Sequence, residues 1–409
     1  MKVLYISYDG MTDPLGQSQV LPYLEGLSDA SVEIWLLSFE KKKRFAQNFS
    51  LIKTITGKAG IHWIPLTYTK SPPVLSTLWD VMRMQSTVRT LHKTHRFDVV
   101  HCRSYIAALA GLMLKRRYGV KFIFDMRGFW ADERIDGKLW NLNNPVYASV
   151  YRYFKKKEKE FLEAADYTIT LTYAARDIIH SWNFIRNNPV RIEVIPCCAD
   201  LQLFNRMHIK QQQISTLRAE LGIPEKAHII TYIGSLGTWY MLDEMMQFFL
   251  MYSQSFAEAF FVIVTQDDPS VAFAAAAASG VKTEKLRVVR AARREVPAWI
   301  ALGEVSVFFV RQAFSKQGSS PTKQGEIMGM GVPIVCNSKI GDTEMVIKKY
   351  QAGWVIDAFT RSEYERVVRE MKTQPWPDSS QIREGAESFY SLSEGIQRYR
   401  MVYQRLSEN

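Results

Sequence analysis

Cysteine is scarce in this chain, and its placement suits no cross-link. The four cysteines among 409 residues are Cys102, Cys197, Cys198 and Cys336. They are too few and too scattered for a disulfide framework, and an adjacent pair has no zinc-ligand spacing. Also missing is any apolar run near the ~20 residues that a membrane-spanning helix needs. The opening stretch, MKVLYISYDG, runs straight into a strand pattern, without the apolar core and small-residue cleavage site of a leader. A reducing cytoplasm is the expected compartment. No zinc finger, RRM signature or helix-turn-helix pattern occurs, which sets nucleic acid aside as a partner. Nor is there an Asp-x-Asp motif for a divalent ion. Asp267-Asp268-Pro269 has the wrong spacing and a turn former behind it, so no metal is expected.

Positive charge, by contrast, is plentiful. The net charge is +11, in a chain that is 47% hydrophobic and 23% charged, an ordinary globular balance. An anionic partner is expected. The basic residues gather at 41–44 (KKKR), 115–117 (KRR) and 151–161 (YRYFKKKEKEF). Lysines interleaved with Tyr and Phe suit the face of a bilayer carrying anionic lipid. The expected setting is therefore peripheral, on the inner face of the cell membrane.

Short apolar runs alternate with amphipathic stretches along the whole length. Strands are expected at 3–7, 32–38, 62–66, 99–101, 122–125, 167–171 and 193–195. A second series is expected at 229–233, 260–264, 286–289, 305–310, 333–336 and 353–356. Helical patterns lie between them, so the reading is α/β, with two Rossmann-like, doubly wound parallel sheets facing each other across a cleft. The first domain is expected over 1–205, with a C-terminal helix at 386–409 packing back on it, and the second over 206–385. Ligands of such sheets bind at the carboxyl ends of the strands.

The stretch SSPTKQGEIMGMGVPIVCN, from Ser319 to Asn337, carries the sharpest chemistry. A turn leads into a short helix, whose start offers unpaired N–H groups and partial positive charge to a phosphate. Lys323 stands beside that start. Glu326, one turn further in, has the reach to accept from two sugar hydroxyls. Phosphate and sugar together indicate a nucleotide-sugar. The apolar run after Gly331 then reads as a buried parallel strand.

Four segments, ISYDGMTDPLGQSQVLPYL, VIPCCADLQLF, YIGSLGTWYMLDEMM and SSPTKQGEIMGMGVPIV, together resemble the GT-B enzymes of glycosyltransferase family 4. The resemblance covers nearly the whole chain in the right order. It implies transfer of a sugar from a UDP- or GDP-linked donor with retention of configuration and no further cofactor. It also implies an acceptor-binding first domain and a donor-binding second one. Two features depart from the family pattern. The first of its two usual glutamates falls on Gly318, while Glu326 matches the second, the ribose ligand. The turn Gly234 to Tyr240 holds no cation, so the resemblance leaves Lys316 and Lys323 to hold the diphosphate, aided by Ser319, Ser320 and the Gly237 amide.

Further residues follow from the ends of the expected strands. Arg311 lies beyond the strand at 305–310, and Arg290 lies in the segment expected to meet the base. On the acceptor side, Gly16 and Gln17 belong to a loop after the first strand, where a glycine lets the backbone approach the reacting centre. His101 and Arg103 end the fourth strand. Asp125 ends the fifth, where the family often carries a histidine, and Arg127 follows. A carboxylate there could orient the acceptor hydroxyl or steady oxocarbenium-like charge. In front-face substitution the departing phosphate oxygen takes the acceptor proton. The expected activity is thus a metal-independent hexosyltransferase acting on a glycan or lipid-linked acceptor, in polysaccharide or glycolipid synthesis. A nucleotide-sugar epimerase of the same fold is the alternative enzyme. A binding protein for anionic polymers is the alternative without catalysis.

Overall fold

The computed structural model describes residues 1–408. It divides into two compact units, Met1–Pro196 with Leu392–Asn409, and Cys197–Ser391.

The first unit is built on β1 (Lys2–Ser7), β2 (Glu33–Glu40), β3 (His62–Thr67), β4 (Val99–Arg103), β5 (Lys121–Asp125), β6 (Tyr167–Thr170) and β7 (Ile192–Val194). All pair in parallel, in the order β3-β2-β1-β4-β5-β6-β7. Central strands such as VVHCR in β4 are buried along their full length, as strands covered by helices on both faces must be. The chain order reverses between β1 and β4, the switch point at which such sheets open a crevice.

The second unit repeats the design with β8 (Ile229–Ile233), β9 (Phe260–Val264), β10 (Leu286–Val289), β11 (Val305–Phe308), β12 (Ile334–Asn337) and β13 (Gly353–Ile356). These are also all parallel, in the order β10-β9-β8-β11-β12-β13, with the switch between β8 and β11. Its core runs from Phe204 through Tyr232, Phe249 and Phe261 to Tyr364.

Several boundaries differ from the sequence reading, and three of the differences have a clear physical reason. β11 stops at Phe308 and not at 310, because the Asn337 side chain takes over the ladder there. Its Oδ1 accepts from Val310 N at 2.7 Å and its Nδ2 donates to Val310 O at 3.0 Å. The closing helix is two helices, Ser379–Tyr390 and Leu392–Ser407, and only the second belongs with the first unit. The first domain also ends at Pro196 and not at 205, since Ala199, Leu201 and Phe204 join the core of the second. The basic cluster at 41–44 opens a long helix, Lys42–Lys58, between β2 and β3.

Candidate functional site

In the second unit the chain leaves β8 through Gly234, at φ 143°, a conformation open to glycine alone. A Cβ on Gly234 would stand 2.5 Å from Lys323 Nζ, so this position also lets the ammonium approach the backbone. Asp267, one of the two acids the sequence reading set aside as metal ligands, accepts from Leu236 N at 2.6 Å. The other, Asp268, caps the helix Pro269–Ala278 through Ser270 N. The far side of the 234–241 turn is clamped to the residues after β11. Arg311 N donates to Trp239 O at 2.8 Å, and Met241 N to Phe309 O at 3.0 Å.

Three cations in this neighbourhood lie on aromatic rings. Lys316 Nζ sits 3.6 Å from the Trp239 ring centroid, and the Arg311 guanidinium 4.7 Å from it. Lys323 Nζ sits 3.5 Å from the centre of Tyr240 and 4.3 Å from that of Tyr232, and it donates to the Tyr232 hydroxyl at 3.2 Å. A desolvated cation–π contact is worth about 2 kcal/mol, less than the several kcal/mol an ion loses on leaving water. Burial therefore pushes Lys323 well below the usual lysine range, with only the Glu326 charge opposing it. Burial likewise pushes Tyr240 up to about 12.

The helix Thr322–Gly329 starts at Pro321 with no side-chain cap. Ser319 and Ser320 lie half-buried just before it, and Ser320 Oγ accepts from Cys197 N at 3.2 Å. Glu326 is buried and paired with Arg293, whose NH1 lies 2.6 Å from Oε1. Burial raises the Glu326 carboxyl above its usual range despite that partner. Arg293 is a residue the sequence reading missed. It stands on an irregular segment, where no periodicity marks which side chain turns inward. Arg290, three residues earlier and chosen from the sequence, is exposed, and Gly237 is open to solvent.

In the first unit the loop after β1 wraps a buried carboxylate. Glu40, at the end of β2, accepts from Met11 N at 2.8 Å, Thr12 N at 3.0 Å and Ser38 Oγ at 2.6 Å. Gln17 Nε2 and Asn48 Nδ2 both donate to Thr12 O. Gly16 is needed here for space, since a Cβ would stand 2.3 Å from Gly10 O. Glu40 also escaped the sequence reading, because an acid closing an apolar strand usually reads as a solvated end.

The ends of β4 and β5 bring His101, Arg103, Asp125 and Arg127 together, with Arg103 opposite Asp125 in register. His101 is buried, its Nδ1 sharing a 2.8 Å hydrogen bond with Tyr403 and its Nε2 3.5 Å from Asp125 Oδ2. Tyr399 donates to the same carboxylate at 3.0 Å. Burial works to raise the Asp125 carboxyl, but Arg127, His101 and Arg103 outweigh it and hold it below the usual range. Burial lowers His101, which is therefore a neutral imidazole at neutral pH. Arg127, at φ 55°, has an NH1 4.0 Å from Asp125 Oδ1. Both tyrosines come from the helix Leu392–Ser407, a contribution that the spacing of residues 399 and 403 alone did not disclose.

Two parallel doubly wound units, each with polar residues gathered at its switch point, define the GT-B fold. Residues 18–203 match the model of Glycosyltransferase Family 4. A D-inositol 3-phosphate glycosyltransferase of Nocardioides sp. (strain ATCC BAA-499 / JS614) is 26% identical over 141 residues, which are 34% of this chain and 28% of that relative. Among solved structures, a glycosyltransferase from Rickettsia africae ESF-5 superposes with a TM-score of 0.75 at 12% identity, over 100% of this chain and 99% of its own. Anabaena Alr3699/HepE, solved in complex with UDP and glucose, superposes with a TM-score of 0.69 at 14% identity, over 99% of each chain.

Proposed function

We propose that the protein is a retaining glycosyltransferase that moves a hexose from a nucleotide-diphosphate donor to a glycan or lipid-linked acceptor, in polysaccharide or glycolipid synthesis. The observation that carries this reading is the set of cations around the 234–241 turn. Lys316, Arg311 and Lys323 surround a backbone turn next to an uncapped helix start, with Glu326 one turn beyond. The leaving diphosphate gains negative charge as the glycosyl bond breaks, and fixed cations and amides stabilise that charge without reorganising. In this reading they replace a divalent ion. Lys316, Lys323, Ser319, Ser320 and the Gly237 amide hold the diphosphate, and Glu326 takes the ribose. Arg290, on the exposed segment after β10, stands near the base.

The first domain takes the acceptor. The loop tied down by Glu40 presents Gly16 and Gln17, and Arg127 is the charged group assigned to act on the acceptor. Asp125 and His101 act by positioning Arg127, because both are sealed from solvent. The bond from the sugar to the phosphate oxygen breaks, the acceptor oxygen bonds to the same face, and its proton passes to the departing phosphate. UDP is the first donor nucleotide to test, since Anabaena Alr3699/HepE of the same fold is solved with UDP. The enzyme works on the cytoplasmic side, peripherally on an anionic membrane.

The test is calorimetry with UDP and GDP, followed by analysis of the product formed from a labelled nucleotide-sugar with excess EDTA present. Binding of one nucleotide and an axial-to-axial or equatorial-to-equatorial product are expected. An epimerised donor with no acceptor consumed, or activity abolished by EDTA, overturns the respective part.

A further inference from the structure

The helix Leu75–His95 is turned inside out over its first two turns. Ser76 and Asp80 face inward, at 5% and 0% exposure, while Leu75, Leu78, Trp79 and Met82 are 64%, 54%, 54% and 49% exposed. Their spacing of 3, 4 and 7 residues places the four apolar side chains on one stripe. An amphipathic helix on a soluble surface shows the reverse arrangement, and a contiguous apolar stripe of this kind marks a contact.

The orientation is built in by Asp80. Its carboxylate accepts from the Tyr8 hydroxyl at 3.1 Å, from Thr69 N at 3.0 Å and from Thr69 Oγ1 at 2.8 Å, and Arg83 NH1 lies 3.4 Å away. These bonds fasten the start of the helix to the loops after β1 and β3. Rotating the stripe inward would break all of these bonds and leave Tyr8 and Thr69 without their acceptor.

The surroundings of the stripe are basic. Tyr68 N donates to Glu40 O at 3.0 Å, joining the ends of β2 and β3. Lys41, Lys42, Lys43 and Arg44 leave the sheet at that corner, and Lys70 lies on the loop leading into the helix. All five are exposed. Only Asp13 answers them among the described residues, pairing with Lys41 at 2.8 Å and lying 3.8 Å from Arg44. The other two basic clusters are more extensively paired with acids. Lys155 pairs with Asp132 and Glu158, Lys157 with Glu160, Lys115 with Asp166 and Arg116 with Glu160.

We propose that Leu75, Leu78, Trp79 and Met82 enter the outer hydrocarbon of an anionic bilayer, while Lys41 to Arg44 and Lys70 engage its headgroups. The inference rests on the peripheral-membrane part of the proposed function and names the surface responsible. A second copy is the poorer occupant, because pairing two such corners would bring together like charges on a chain of net charge +11. A membrane with negative surface potential matches the rim, and Trp suits the interface depth.

The experiment uses the full chain with phosphatidylcholine vesicles, with and without phosphatidylglycerol. The wild-type chain is expected to co-sediment with the anionic vesicles, and salt should weaken it. The double variant Leu78→Ser/Trp79→Ser should melt like wild type and bind at least about tenfold more weakly. Lys42→Glu/Lys43→Glu should lose most of the dependence on phosphatidylglycerol. Brominated lipid should quench wild type more than Trp79→Phe. If wild type binds and the Ser variant binds equally, this surface is wrong and the membrane reading survives. If wild type binds no vesicle, or the stripe instead drives a concentration-dependent dimer, both fall.

Discussion

The hydroxyl of Tyr403 meets His101 Nδ1 at 2.8 Å, two groups separated by 302 positions in the chain. Neither reaches solvent, and the bond ties the final helix to the switch point of the first sheet. Tyr403→Phe would leave a buried imidazole nitrogen without that partner, costing about 1–3 kcal/mol. Urea unfolding should show this as a lower midpoint with an unchanged slope. Because burial depresses His101, the unfolded chain takes up a proton first as the pH falls below about 6.5. Stability should therefore decline as the solution is acidified through that range. His101→Gln should remove part of the decline, and an unaltered pH profile would argue against it.

Lys323 offers a test of the donor site that needs no acceptor. Free, it is depressed by burial, and a diphosphate placed beside it would favour its charged form. At a pH between the depressed value and the ordinary 10.4, nucleotide binding should then draw a proton from solution. Calorimetry in buffers of different ionisation enthalpy measures that uptake directly. Lys323→Ala should abolish it and weaken UDP binding by roughly 10- to 100-fold, the worth of one charge-assisted hydrogen bond. In the free protein the same depression makes stability rise with pH in that window, because the unfolded chain there holds the extra proton.

Glu40 and Gly16 should affect turnover and leave donor affinity alone, since they belong to the other unit from the cation cluster. Glu40→Gln replaces an acceptor with a donor facing Met11 N or Thr12 N, at a cost of about 1.5–3 kcal/mol. Gly16→Ala forces a Cβ against the Gly10 carbonyl, at a cost of about 1–3 kcal/mol. Both should lower kcat in a transfer assay while the calorimetric UDP constant stays at the wild-type value. A weaker UDP constant in either variant would contradict this division of labour.

Asn337 should prove more sensitive than its place at a strand end suggests. Asn337→Asp keeps the bond from Val310 N but sets a carboxylate oxygen against the Val310 and Ser338 carbonyls. A loss of about 1–3 kcal/mol is expected, because donors become unpaired acceptors in a buried place. UDP binding should weaken as well, since Val310 precedes Arg311 and bridges to Tyr240. Thermal melts and calorimetry on the same sample check both.

The strands were legible because buried parallel strands read as short apolar runs: those at 229–233, 260–264, 286–289 and 353–356 lie where the residues placed them. The turn and helix start around Lys323 were legible as well, through Ser319-Ser320-Pro321 and the residues that follow. What stayed hidden is long-range. Nothing local tells that Tyr403 reaches His101, that Arg293 reaches Glu326, or that Glu40 turns inward to gather amides. The segment Leu75–Met82 falls among the helical patterns between the strands, and an apolar stripe looks the same whether it faces a core or the outside. Only Asp80, bonded on the inner side, separates the two.

The first unit is interrupted: its core is begun by Met1–Pro196 and closed only by Leu392–Asn409, whereas Cys197–Ser391 is one continuous stretch. On the ribosome the usual order is thereby inverted, and the later-made unit can finish while the earlier one waits for the helix Leu392–Ser407. Until Tyr399 and Tyr403 emerge, Asp125 and His101 lack these two partners, so the first unit completes its core only after the whole of the second has been made.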